Sequence, residues 1–117
     1  ASWAVAHRRF HRLLVGRSGA PVLRTISSYA EQSERYVRID QLTNTQDFEA
    51  RQREHQAIFD AVRHGDGKAA VVEMARHLSG SARRVVEAHA PGRGTPFVDA
   101  ALDLLLCDCS DAASDSG

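Results

Sequence analysis

Residues 48–88 read FEARQREHQAIFDAVRHGDGKAAVVEMARHLSGSARRVVEA, and this stretch decides the fold. Phe48, His55, Ile58, Phe59 and Val62 recur at helical spacing as far as Arg63, and Ala70, Val71, Met74, His77, Leu78, Val85 and Val86 do so again to about Ala88. Between them His64-Gly65-Asp66-Gly67 is a turn signal, with Asp66 suited to cap the second helix. Two amphipathic helices joined by a tight turn predict a helical hairpin, the second helix being the longest of the chain.

The pattern extends in both directions. Upstream, Trp3 to Val15 places Phe10, Leu13 and Leu14 on one helical face, with Gly16 as the expected C-cap. Pro21 suits the first turn of another helix, which carries Val22, Leu23, Ile26, Tyr29, Ala30, Tyr36 and Val37 and should end near Asp40. Thr43-Asn44-Thr45 offers N-caps for the helix that follows. Downstream, Pro91 to Pro96 breaks the pattern, Phe97 to Leu106 forms a short helix, and the residues from Ser110 onward are expected to be disordered. No stretch alternates as a strand does. The fold class is therefore all-α, an antiparallel bundle, with residues 1–90 as one helical domain and 91–117 as linker, short helix and acidic tail.

Composition agrees with a globular, membrane-free, cytoplasmic domain: 43% of the 117 residues are hydrophobic, 26% are charged, and the apolar runs are too short to span a bilayer. The chain opens Ala1-Ser2-Trp3 without a leader or an initiator Met, so it reads as a fragment whose upstream sequence is missing. Net charge is zero, but all 15 Lys and Arg lie at or before Arg93, leaving +5 there and −5 beyond. The arginines form no dense run, so DNA contact is not expected of this chain itself. Cys107 and Cys109 suit a reducing compartment and are too few for a structural zinc site.

The chemistry lies in histidine. His7 and His11 stand four apart and project from one helical face, a spacing that grips a single ion. His55 shares the inward stripe of Ile58, Phe59 and Val62, and His77 that of Ala70 and Met74. An unsatisfied buried polar group costs roughly 1–3 kcal/mol, so one divalent metal shared among four imidazoles is one explanation of this clustering. Histidines satisfied separately are the other, and spacing alone leaves both open. His64 and His89 sit at helix ends and read as ordinary terminal histidines.

At this point Arg9-Phe10-His11-Arg12-Leu13-Leu14, Ser18-Gly19, Glu54-His55-Gln56-Ala57-Ile58, Gly65-Asp66 and Met74-Ala75-Arg76-His77-Leu78 resemble the FadR C-terminal (FCD) domain of GntR-type transcription regulators. The intervals of 44 residues from His11 to His55 and 22 from His55 to His77 are similar to those of its metal-binding members. The resemblance covers residues 3–88 and implies the last four helices of a domain that usually has six or seven. It further implies a divalent metal, zinc or nickel here, a small carboxylate effector, a homodimer, and DNA binding only through a winged helix-turn-helix that precedes such domains. In the family an Asp one turn before the first His joins three His around the metal. Here His7 takes that place, which raises the site's formal charge by one; otherwise Glu73, one turn before His77, supplies the carboxylate or a supporting hydrogen bond. Tyr29 and Ser33 are the candidate effector contacts. No enzymatic activity is expected, since His-Glu-x-x-His is absent; a hydrolase using metal-bound water with Glu73 or Glu54 as base, and a remnant that only oligomerises, are the alternatives.

Overall fold

In the computed structural model, which describes residues 2–43 and 48–114, five helices follow one another: α1 Trp3–Leu14, α2 Ala20–Thr43, α3 Phe48–Arg63, α4 Gly67–His89 and α5 Pro96–Ser114. No strand occurs among the described residues, and the fold is the all-α bundle read from the sequence. No helix among them is long and apolar enough to cross a membrane. The chain divides into two compact units, Ala1–Arg35 and Tyr36–Gly117.

In the first unit α1 turns Trp3, His7, Phe10, His11 and Leu14 to its half-buried face and leaves Arg8, Arg9 and Arg12 exposed. The helix ends at Leu14 with Val15 as its C-cap in place of the expected Gly16; the left-handed residue is Gly19, at φ +83°, and its carbonyl accepts the Leu23 N–H at 3.0 Å to start α2. Pro21 falls in that first turn, where its missing N–H has no helical partner to lose. Arg8 of α1 pairs with Glu34 of α2.

In the second unit the α3–α4 hairpin turns through a double cap. The N–H of Asp66 reaches back to the Ala61 carbonyl at 2.9 Å and that of Gly65 to the Val62 carbonyl at 3.0 Å, which is the Schellman pattern, with Gly65 at φ +72°. The Asp66 carboxylate then accepts the Ala69 N–H at 2.9 Å, so the same residue closes α3 and opens α4. Ile58, on α3, is the only apolar side chain buried completely among the described residues.

Two boundaries differ from expectation. Helix α2 runs past Asp40 to Thr43, because Asp40 is buried inside the helix, where Arg51 of α3 donates to it at 2.7 Å. At 24 residues it is longer than α4, which has 23. The expected caps Asn44 and Thr45 lie outside the described residues, and Thr43 belongs to α2. Helix α5 reaches Ser114 instead of ending at Leu106, the residues after Leu106 including two alanines that favour helix and none that breaks it. Residues 115–117 lie outside the described part. At its start Pro96 occupies the first helical position, the buried Thr95 hydroxyl donates to Asp99 at 3.1 Å, and Arg83 of α4 donates twice to the same oxygen at 2.9 and 2.8 Å. The hydrogen bonds from Arg83 hold the Asp99 carboxyl below its ordinary range, against a smaller opposing effect of burial.

Two expectations follow. Gly65→Ala should destabilise the fold by roughly 1–2 kcal/mol, because a Cβ is unfavourable at positive φ, and Asp66→Ala by about 1 kcal/mol through loss of the cap; urea unfolding followed by circular dichroism checks both. Because the folded-state pKa of Asp99 is depressed, its contribution is complete above the ordinary carboxyl pKa and is lost as pH falls below about 4. Asp99→Asn should remove that part of the acid sensitivity, seen as a flatter melting temperature between about pH 5 and 2.5.

Candidate metal and effector site

On α1 three rings follow one another a turn apart. The Trp3 indole lies on His7 with centroids 4.7 Å apart and planes 18° from parallel, and His7 meets His11 edge to face at 4.5 Å. The two Nε2 atoms stand 3.1 Å from each other, and Phe10 closes on His11 at 5.6 Å. Two nitrogens each 2.0–2.1 Å from one ion are about 2.9 Å apart at a right angle and about 3.3 Å apart at the tetrahedral angle. The His7–His11 separation is that of a hydrogen bond between the two rings and also falls in the range open to two ligands of one metal, with Trp3 and Phe10 packed against the pair.

Within the second unit, His55 of α3 and His77 of α4 bring their ring centroids to 4.4 Å. His77 is 4% exposed, the most buried of the four candidate ligands, and His55 is half-buried. The Nδ1 of His77 is 2.6 Å from Glu54 Oε2 and that of His55 is 3.4 Å from Gln52 Oε1. In both rings the polar neighbour lies on the Nδ1 side. Glu54 also accepts from Arg84 Nη1 at 3.3 Å on its other oxygen, and Arg84 Nη2 reaches the Ser81 hydroxyl at 3.2 Å. Burial alone pushes the Glu54 carboxyl up, but the hydrogen bonds from His77 and Arg84 and the positive charge of Arg84 outweigh it, so the group sits below its ordinary range and is ionised at neutral pH.

Other residues singled out in the sequence stand elsewhere. Glu73 is 3.7 Å from Arg76 in an exposed pair, and it is Glu54, not Glu73, that hydrogen-bonds His77. Tyr29 is 68% exposed on α2, and the Ser33 hydroxyl donates to its own helix at Ala30. His64 makes a 2.6 Å bond from Nδ1 to the Asp60 carbonyl, and His89 packs against Tyr36 at 6.0 Å, both as terminal histidines do. Sequence reasoning passed over Trp3 and Arg84. Each shares a helix face with a histidine, Trp3 four residues before His7 and Arg84 seven after His77, and that spacing was the available signal.

Residues 1–80 match the FCD domain, and the chain belongs to that family. FCD domains are the regulatory, effector-binding domains of GntR-type regulators and are not generally enzymes. No curated protein and no solved structure matches the chain.

Gly80 faces the Glu54–Arg84 contact: a Cβ there would lie 3.4 Å from Arg84 Nη1 and 4.0 Å from Glu54 Oε1, both ordinary contacts with mobile side-chain ends. Gly80→Ala should therefore be accommodated and raise stability by up to about 1 kcal/mol through helix propensity. Gly80→Leu, too large for that space, should displace Arg84 and lower the melting temperature; differential scanning calorimetry separates the two.

Proposed function

We propose that this chain is an effector-sensing module in which His7, His11, His55 and His77 hold one divalent metal ion, zinc or nickel, and the metal receives a small carboxylate metabolite. The observation that carries the reading is the 3.1 Å separation of the His7 and His11 Nε2 atoms, supported by the pairing of His55 with a deeply buried His77 in a chain of the FCD family. Neutral imidazole is a good ligand for zinc and nickel and brings no charge of its own. An ion held by four such nitrogens keeps its full +2 charge, and where its coordination shell expands beyond four it accepts an anionic oxygen. A metabolite carboxylate binds there as a ligand, with no bond broken and no general base required. Tyr29 and Ser33, four residues apart on α2, face the effector in this reading. Sensing is coupled to DNA through a winged helix-turn-helix outside these residues, in a cytoplasmic homodimer.

One observation favours a second reading, a chain that self-associates without binding ligand: Leu13, Phe97 and Leu104 are 71%, 90% and 70% exposed. Metal analysis of the purified chain, followed by thermal unfolding with chelator and with added zinc or nickel, decides between the two. Near-stoichiometric metal and a melting temperature that falls on chelation are expected. His11→Ala and His77→Ala should each lose most of the metal affinity, whereas His64→Ala should leave it unchanged. Equal losses in all three variants would refute the assignment, and no metal in the parent chain would leave self-association as the function.

A further inference from the structure

The Glu54–His77–Arg84 cluster contains a buried histidine held by a carboxylate that is itself held by a guanidinium, and the proposed metal chemistry uses only the first of these groups. Glu54 receives Arg84 on one oxygen and lies 2.6 Å from His77 Nδ1 on the other, a geometry in which the carboxylate accepts on both sides and Nδ1 carries the proton. In the neutral form of the ring that is its single N–H, and the lone pair then falls on Nε2. At 4% exposure the ring has little water with which to exchange that arrangement. The carboxylate is fixed in turn: its second oxygen receives Arg84, whose side chain is 20% exposed and is pinned to α4 by Ser81. His77 and Arg84 lie seven residues apart on one face of α4, so a single helix face grips both oxygens of a carboxylate from α3.

We infer that Glu54, anchored by Arg84, is a positioning residue for His77: it fixes the Nδ1–H tautomer and ring orientation, so that Nε2 is the nitrogen presented to a metal. The inference rests on the reading of His77 as a ligand, but its first consequence, the tautomer, exists without metal. A carboxylate behind a ligating imidazole also makes the ring a stronger donor, and loss of such a partner typically lowers metal affinity 10–100-fold.

Two measurements on the full chain test this. Long-range 1H–15N correlation spectra of the metal-free protein, recorded across pH to where the His77 ring is neutral and assigned by comparison with His77→Gln, should show a protonated Nδ1 and an unprotonated Nε2. The opposite tautomer would overturn the inference. Zinc affinity, read by competition with a chromophoric chelator, should fall 10–100-fold in Glu54→Ala and recover in large part in Glu54→Gln, which keeps an acceptor oxygen. Glu54→Ala with undiminished affinity and a folded circular dichroism spectrum would also overturn it. If the parent chain binds neither zinc nor nickel, the proposed function fails, and the His77 tautomer decides the positioning role separately.

Discussion

Glu54 accepts hydrogen bonds from two residues of the neighbouring helix at once, and the seam between α3 and α4 depends on that carboxylate. Each group is costly to bury alone: a histidine away from water needs a partner for its N–H, and a half-buried carboxylate needs donors. Together they satisfy one another across the seam, one turn before the fully buried Ile58 on the same face of α3. The buried pair of Asp40 and Arg51 works the same way between α2 and α3. Such pairs add little net stability over apolar residues of equal size, but a mispaired register would strand a charge. The second unit is thus specified as much by directional polar contacts as by its small apolar core.

The fold was legible because it rests on local signals. Helical periodicity, Pro21 near the start of α2 and the Gly65-Asp66 turn each act within a few residues, and the helices stand where those signals put them. The misjudged boundaries had distant or diffuse causes. Asp40 resembles a helix-ending residue until Arg51, eleven positions on, is brought beside it. Helix α5 continues through residues whose polarity suggested a tail, because propensity and a good first turn suffice there.

For the candidate site the limit was sharper. The four-residue step from His7 to His11 is visible in any helical reading, and so is the inward stripe of His77. What stands behind His77 is not, because Glu54 is 23 residues away and belongs to another helix. Glu73, one turn before His77 on the same helix, was the natural guess from sequence, yet it turns to Arg76. The match to the FCD domain ends at Gly80, so it includes the four histidines and Glu54 but not Arg84. The residue that anchors the carboxylate therefore comes from beyond the part of the chain by which the family is recognised.

Trp3 is the only tryptophan in the chain, and its indole lies flat against His7. An aromatic face is attracted to positive charge and its electrons respond to it. Whatever charge His7 acquires, as a proton or through a coordinated cation, is felt first by that ring. The protein thus carries its own optical probe at the edge of the proposed metal site, with no second indole to obscure the signal.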